Sequence, residues 1–192
     1  CAQAENEAAR TLPSLIVCPS TLVAHWVSET RKFIAGTVLR PVAYVGTPAE
    51  RAAVREALGP RALLVASYES VRKEAAALAR VRFNYCVLDE GHMIKNARSK
   101  LTQAVKQLHA LNRLILTGTP IQNNVLELWS LFDFLMPGFL GSERDFAERY
   151  SAPILQSRKP SCSEKEREAG LLAMEALHKQ VQPFLLRRVK ED

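Results

Sequence analysis

Short, almost entirely apolar runs alternate along this chain with longer segments whose apolar residues recur every three or four positions. That alternation is typical of α/β proteins, in which crossover helices connect parallel strands that are buried on both faces. The predicted strands are Leu15–Cys18, Pro41–Val45, Ala62–Ala66, Tyr85–Asp89 and Arg113–Thr117. The predicted helices between them are Thr21–Ile34, with Ser20 as its cap, Pro48–Leu58, Tyr68–Arg80 and Ser99–Leu111. The sequence therefore predicts an α/β fold with a mostly parallel sheet.

The strand pattern stops after Pro120, and only helical patterns follow. We expect helices at Val125–Leu135, Glu143–Tyr150 and Glu164–Gln182, with a polar loop at Gln156–Ser163. The last helix is expected to present one apolar face formed by Ala169, Leu172, Ala173, Ala176, Leu177 and Val181. This division predicts two regions, an α/β part at residues 1–124 and a helical appendage with a linker at residues 125–192.

Composition excludes several other classes of protein. Hydrophobic residues make up 47% of the chain and charged residues 24%, which is ordinary globular usage and argues against disorder. No apolar run approaches the roughly 18 residues that a membrane-spanning helix needs, so no membrane is expected as a partner. The four cysteines are widely spaced and form no metal-binding motif, which predicts free thiols in a reducing, intracellular compartment. The net charge of +6 permits an acidic partner such as nucleic acid.

Two adjacent carboxylates follow the fourth predicted strand, in the run Val87-Leu88-Asp89-Glu90-Gly91-His92. Open α/β sheets bind ligands beyond the carboxyl ends of their strands, so Asp89 and Glu90 lie where a ligand is expected. One carboxylate can bind a hydrated Mg²⁺ while its neighbour orients a water molecule for attack on a phosphate. The alternative is that Asp89 caps the next segment and Glu90 is solvated.

A second polar run follows the fifth predicted strand, in Leu116-Thr117-Gly118-Thr119-Pro120-Ile121-Gln122-Asn123-Asn124. Its threonine hydroxyls could form hydrogen bonds with the carboxylates of the first site. The alternative is a tight turn in which an Asn caps the following helix. The aromatic residue Trp26, in the segment after the first predicted strand, could stack on a nucleic-acid base, but its helical context favours packing in the core.

Four segments in this order and spacing resemble motifs Ia, Ib, II and III of the Swi/Snf-type ATPases, a branch of the superfamily 2 helicases. They are LIVCPSTLVAHW, ASYESV, VLDEGHMIKN and LTGTPIQNN. The later segments LWSLFDFLMPGFLG, EREAGLLAMEALHKQV and PFLLRRVKED look most like the subgroup of TATA-binding-protein-associated ATPases. The resemblance implies a first RecA-like lobe followed by a helical protrusion, in a nuclear, ATP- and Mg²⁺-dependent translocase on double-stranded DNA. It also implies a second RecA-like lobe in cis and removal of TATA-binding protein from promoters.

The resemblance assigns roles to individual residues. Asp89 matches the Mg²⁺ carboxylate, Glu90 the base that positions the attacking water, and His92 the motif II histidine. The residues that match motif III, which couples nucleotide state to DNA, are Thr117, Gly118, Thr119, Pro120, Gln122 and Asn123. The residues that match DNA-contacting positions are Pro19, Ser20, Thr21, Ser67, Tyr68, Lys95 and Asn96. Contact at the first three is physically reasonable, because helix N-termini bind phosphate through free N–H groups.

Two departures from the family pattern qualify these expectations. Gly91 replaces the more usual Ala, which leaves both carboxylates in place. No Gly in the chain is followed by Lys, so the P-loop signature is absent, and the chain begins with Cys1 rather than Met. We therefore expect a fragment of a longer enzyme that is inactive and marginally stable by itself. The alternative is a non-catalytic module, or a degenerate copy, that binds DNA or protein.

Overall fold

Five parallel strands form one sheet in the computed structural model, which describes residues 12–118 and 125–187. The strands are β1 (Ser14–Cys18), β2 (Arg40–Tyr44), β3 (Ala62–Ser67), β4 (Arg82–Asp89) and β5 (His109–Leu116). Their order across the sheet is β2-β3-β1-β4-β5, and every pairing between neighbours is parallel. The predicted α/β class and parallel sheet are confirmed.

The strands differ in how deeply they are buried. All of β3 and most of β1 are buried, as expected for strands covered on both faces. The strand β5 pairs only with β4 among the described residues, and its Leu111, Leu114 and Leu116 are 50%, 47% and 37% exposed. The expectation that every strand is buried on both faces is therefore wrong for β5.

Five helices accompany the strands, and they cover both faces of the sheet. They are α1 (Val23–Phe33), α2 (Pro48–Glu56), α3 (Tyr68–Lys73), α4 (Ala75–Leu78) and α5 (Lys100–Lys106). On one face, α1 packs Val23 and Val27 against Ile16 and Val65. On the other face, Tyr68, Val71, Leu78 and Val105 from α3, α4 and α5 pack with strand residues such as Leu15, Leu64 and Leu88.

Three predicted helices differ from the observed ones. A 3₁₀ turn at Ser20–Leu22 precedes α1, so the predicted cap from the Ser20 side chain is wrong. The predicted helix Tyr68–Arg80 is broken at Glu74, whose carboxylate accepts hydrogen bonds from Tyr44 at 2.5 Å and Arg51 at 2.6 Å. The predicted helix Ser99–Leu111 is too long, because His109 already pairs with Arg82 in the sheet.

The helical region contains α6 (Val125–Leu135), α7 (Glu143–Phe146), α8 (Ala152–Ser157) and α9 (Glu164–Val181). A π-helical turn at Ala147–Ser151 joins α7 to α8, and a 3₁₀ turn at Gln182–Phe184 follows α9. The predicted loop Gln156–Ser163 starts too early, because its first two residues still belong to α8. No helix among the described residues is long and apolar enough to cross a membrane.

The buried face of α9 is formed by Gly170, Leu177 and Val181. Leu172 is 59% exposed, so the apolar face predicted from the pattern is partly wrong. Close approach of α8 explains the difference, because a Cβ at position 170 would overlap the Ser157 side chain and lie 2.8 Å from the carbonyl oxygen of Pro153. Gly170 therefore joins Leu177 and Val181 on the buried face of α9, whereas Leu172 does not.

The helix α6 belongs to two hydrophobic cores. Its Leu131 and Phe134 pack into the sheet core, whereas Leu128, Trp129 and Phe132 pack with α7, α8 and α9. Polar contacts fix it to the α/β part, including the 2.6 Å ion pair between Lys106 and Asp133 and the 2.7 Å hydrogen bond from Arg113 to the Phe134 carbonyl. The two cores therefore meet along α6 itself, and the proposed division at residue 124 lies ahead of this shared helix.

Candidate functional site

The carboxyl ends of four neighbouring strands lie in one row. Cys18 pairs with Ser67, Val17 with Leu88, and Asp89 with Leu116, so continuing the register places Cys18 beside Asp89. The residues that follow this row are Pro19, Tyr68, Glu90 and Thr117. The sheet thus brings the starts of all four candidate motifs to one edge, which is where α/β sheets bind ligands.

The backbone turns sharply at Glu90. Its φ of 55° and ψ of 51° are left-handed, and it is the only residue other than glycine with a positive φ in the described part of the chain. Such a conformation is costly for a residue with a Cβ, and residues held in it cluster at functional sites. Gly91 follows and begins a 3₁₀ turn at Gly91–Ile94, where an added Cβ would overlap Cγ2 of Ile115. The structure thus gives Gly91 a packing role that sequence analysis did not identify.

Three hydrogen bonds fix Asp89. Its Oδ2 accepts from the indole Nε1 of Trp26 at 2.8 Å, and its Oδ1 accepts from the backbone N–H of Glu90 at 2.9 Å. Its carbonyl oxygen accepts from the hydroxyl of Tyr68 at 2.8 Å. The sequence pattern indicated only core packing for Trp26, although its position on the helix that follows the neighbouring strand could have indicated this contact.

Glu90 and His92 form an exposed pair. Nδ1 of His92 lies 3.2 Å from Oε2 of Glu90, and the two side chains are 44% and 40% exposed. Solvent can therefore reach the Glu90 carboxylate, as it must if this group orients a water molecule. The pair brings together two of the three residues predicted to be catalytic, and Asp89 directly precedes them.

Burial and the charge of Asp89 keep its neighbours protonated. Burial, and then the carboxylate of Asp89, raises the pKa of the Cys18 thiol to about 12. The same two causes, in that order, raise the pKa of Tyr68 above its ordinary value. Tyr68 therefore remains a hydrogen-bond donor, and Cys18 remains a thiol rather than a nucleophilic or metal-binding thiolate.

The residues matched to DNA-contacting positions have different surroundings. Ser20 and Thr21 are exposed on the 3₁₀ turn before α1, and Pro19 precedes that turn. Ser67, by contrast, caps α3 by accepting a 3.1 Å hydrogen bond from the backbone N–H of Ser70. Tyr68 is only 4% exposed. The Tyr68 side chain therefore faces the core and Asp89, and the structure does not place it on a surface open to DNA.

Lys95 and Asn96 lie between the sheet and the helical region. Lys95 forms a 3.4 Å ion pair with Glu127 of α6, and Oδ1 of Asn96 accepts a 3.1 Å hydrogen bond from the backbone N–H of Arg98. Together with Trp129, these residues line a cavity of about 370 Å³. The structure does not bring Lys95 or Asn96 into contact with Asp89 or Glu90.

The candidate motif III is only partly described. Thr117 and Gly118 follow β5 directly and are exposed, one position beyond the pair of Asp89 and Leu116. The other four predicted residues, Thr119, Pro120, Gln122 and Asn123, lie outside the described residues. The register confirms that β4 and β5 end at the same place.

The donor set around Asp89 fits a hydrated Mg²⁺ better than a metal held only by protein. No group of three or more His, Cys, Asp or Glu side chains that could hold a metal occurs among residues 12–118 and 125–187. Mg²⁺ in nucleotide sites commonly binds one or two carboxylates together with waters and phosphates. One half-buried, oriented carboxylate therefore matches this requirement.

Sequence comparison relates the chain to a defined family and to named proteins. Residues 1–192 match the family model of the SNF2-related domain. TATA-binding protein-associated factor 172 of Homo sapiens is 60% identical over 181 residues, which cover 94% of this chain and 10% of that protein. TATA-binding protein-associated factor BTAF1 of Arabidopsis thaliana is 59% identical over 180 residues, which cover 94% of this chain and 9% of that protein. The chain thus spans about a tenth of the length of these curated relatives.

Comparison of structures gives the same relationship. The Sulfolobus solfataricus SWI2/SNF2 ATPase core in complex with dsDNA superposes with a TM-score of 0.79 at 33% identity, over 100% of this chain and 36% of that chain. A second structure, the Sulfolobus solfataricus SWI2/SNF2 ATPase core domain, gives a TM-score of 0.71 at 31% identity, over 100% of this chain and 35% of that chain. These likenesses confirm the ATPase-lobe fold that the sequence motifs imply.

Proposed function

Because this chain belongs to the SNF2-related domain family, we propose that it is the first RecA-like lobe, with its helical protrusion, of an ATP-driven motor on double-stranded DNA. One observation carries the proposal. The adjacent carboxylates Asp89 and Glu90 end a central strand, and Asp89 is held in place by Trp26 and Tyr68 from two neighbouring motifs. The left-handed backbone conformation of Glu90 also supports a functional site, because strained residues cluster at such sites.

The two carboxylates divide the work of phosphoryl transfer. Asp89 is the residue that would hold Mg²⁺, through water, and the bound ion would neutralise charge on the phosphates of ATP. Glu90 orients the attacking water and can accept its proton, because its carboxylate is open to solvent. His92 holds the Glu90 side chain on the same side of the turn.

DNA contact is proposed for the exposed turn before α1. Ser20 and Thr21 present hydroxyls and backbone N–H groups at the start of a helix, where phosphate oxygens bind well. The motif III residues Thr117 and Gly118 lie at the same edge of the sheet, directly after Leu116, which pairs with Asp89. The sites for nucleotide and DNA would therefore be adjacent. The similar Sulfolobus solfataricus ATPase core in complex with dsDNA supports this assignment.

The protein that this motor removes from DNA is proposed to be TATA-binding protein. The support is identity of about 60% to proteins named as factors associated with it, compared with 38% to the yeast transcription regulatory protein SNF2. Because these relatives are named as transcription regulators or as factors associated with TATA-binding protein, we also propose a nuclear location. Because the P-loop signature is absent, we expect these 192 residues to need the rest of a longer chain, including a second RecA-like lobe, before they hydrolyse ATP.

Turnover of ATP by the full-length protein, with and without duplex DNA, tests the proposal. The unmodified protein should show DNA-stimulated hydrolysis, and Glu90→Gln should lower kcat by about 100-fold or more while leaving nucleotide binding intact. Glu56→Gln makes the same change at an exposed residue outside the site and should have no effect. Unchanged turnover in Glu90→Gln would refute the role of Glu90. No hydrolysis by the unmodified protein would favour the non-catalytic interaction module instead.

A further inference from the structure

A cavity lies at the edge of the sheet opposite to Asp89. It has a volume of about 860 Å³ and lies at the amino ends of β2 and β3 and the end of α1. Its apolar lining includes Ile34, Leu39, Pro41 and Val42. This volume is within the range of pockets that hold a ligand or one or two side chains of a partner.

Hydrogen bonds between backbone groups fix the walls of this cavity. The turn after α1 is closed by the N–H of Val38, which donates to the carbonyl of Ala35 at 2.8 Å. The turn before β3 is closed by the N–H of Ala62, which donates to the carbonyl of Gly59 at 3.0 Å, and the N–H of Arg40 joins the two turns by donating to the carbonyl of Arg61 at 2.8 Å. The cavity is therefore formed before any ligand binds.

Three arginines surround the cavity without an acidic neighbour in its lining. Arg31, Arg40 and Arg61 are exposed, and none of them forms an ion pair within the described residues. Glu29 and Glu56, the acidic residues closest in sequence to Arg31 and Arg61, form no ion pair within the described residues either. By contrast, Arg51 and Arg55 of α2 are both paired with Glu74, at 2.5 Å and 3.5 Å. The positive charge at the cavity is therefore available to a partner.

Two exposed apolar side chains come next to cavity residues in the sequence. Phe33, which precedes Ile34, is 72% exposed, and Val38, which precedes Leu39, is 61% exposed. Aromatic residues and arginine are enriched in protein interfaces, and such anchors contribute much of the binding energy. Exposed Phe33 and Val38 beside unpaired arginines are typical of a surface that binds protein.

We propose that the cavity, its three arginines, Phe33 and Val38 form a docking site for an acidic peptide segment of a partner protein. The segment places carboxylates on the arginines, where guanidinium groups can bind them in a bidentate manner, and an apolar side chain in the cavity. A DNA backbone would also attract the arginines, but it would leave the apolar lining and Phe33 unused. Because this site and Asp89 lie at opposite ends of the strands, both can be occupied together.

Fluorescence anisotropy with the full-length protein tests this proposal. The probe is a fluorescein-labelled peptide in which Asp and Glu alternate with Leu and Phe, at physiological salt. We expect binding that weakens about tenfold or more in Arg40→Glu/Arg61→Glu, because the change reverses two charges facing the carboxylates. Phe33→Ala should weaken it severalfold. Arg144→Glu, an exposed arginine of the helical region, is the matched control and should bind the peptide like the unmodified protein. ATP turnover should be the same in all variants.

Three results would overturn the proposal. The first is no binding of the peptide, or equal binding by the unmodified protein and Arg40→Glu/Arg61→Glu. The second is equally tight binding of a control peptide of alternating Glu and Gly, which would show that charge alone is recognised. The third is a variant that loses affinity for a short DNA duplex but keeps its affinity for the peptide, which would assign this surface to nucleic acid.

Discussion

The sheet region and the helical region build their cores in different ways, although both use α6. The sheet core joins residues that are far apart in the chain, from Leu15 to Phe134, and the strand register brings the motif residues to one edge. The core of the helical region joins α6 to α9, which follow one another in sequence, and depends on the close approach of α8 and α9 at Gly170. A substitution in the sheet region should therefore mainly affect catalysis, and a substitution in the helical region should mainly affect stability.

The change Gly170→Ala should have the largest effect, which is a loss of stability in the helical region. The added methyl group meets the backbone of Pro153, which cannot move aside cheaply, so we expect a local loss of about 2 to 3 kcal/mol. Hydrogen exchange of the full-length protein would show lost protection in α8 and α9. Gly36→Ala, where an added Cβ meets nothing within 4 Å, is the control. Equal loss of protection in β1 and β4 would show that the regions unfold as one unit through α6.

The change Trp26→Phe should affect the chemistry of the sheet region. It keeps an aromatic ring but removes the N–H that donates to Asp89, which is a bond of about 1.5 kcal/mol to a charged group and corresponds to about tenfold in kcat. We expect a higher Mg²⁺ requirement together with a modest fall in melting temperature. These quantities are read from steady-state turnover at varied Mg²⁺ and from a thermal melt.

A matched change in the other region sharpens this test. Trp129→Phe removes the indole N–H that donates to the carbonyl of Gly141 at 3.1 Å, in the helical core. It should lower the melting temperature and leave the Mg²⁺ requirement unchanged. If both tryptophan variants alter only stability, Trp26 does not position Asp89.

The smallest expected effect comes from a helix-capping motif that occurs in both regions. The hydroxyls of Thr47 and Ser163 each cap a helix in a capping box, with Glu50 and Glu166 as the reciprocal partners. Thr47→Ala and Ser163→Ala should each cost about 1 kcal/mol. The measurement is chemical denaturation of each variant at neutral pH, and clearly unequal losses would show that the local context outweighs the cap.

The same boxes predict a dependence on pH. The backbone N–H of Ser163, with further hydrogen bonds, lowers the pKa of Glu166, and the N–H of Thr47 acts in the same way on Glu50. Because these pKa values are lower in the folded state, the stabilisation is present above the ordinary glutamate pKa and is lost as the pH falls through the lowered value. Glu166→Gln should make the acid limb of a stability profile less steep, and an unchanged limb would contradict this.

The sequence predicted the sheet well because buried strands are short, apolar and bounded by turn residues. All five predicted strands occur, and Asp89 ends β4 as expected. The errors arose where contacts between distant segments override local pattern. Glu74 leaves its helix to bind Tyr44 and Arg51, and His109 joins the sheet instead of extending α5.

The candidate site was predicted in part for the same reason. The sequence motifs indicated Asp89, Glu90 and His92 as candidate site residues, and the register brings the motif ends together. The role of Trp26 and the inward orientation of Tyr68 depend on side-chain contacts between segments 63 and 21 residues apart, which no local pattern contains. The importance of Gly170 and Gly91 depends on what their missing side chains would touch, and this also requires the structure.

The left-handed backbone at Glu90 has an evolutionary consequence. Asn or Gly would relieve about 1 kcal/mol of strain at this position, so random substitution without selection for hydrolysis would tend to replace the glutamate by residues that make the fold more stable. A lineage that had lost its chemistry would therefore gain stability by losing this side chain. Glu90 thus occupies a conformation that the stability of the fold alone does not favour.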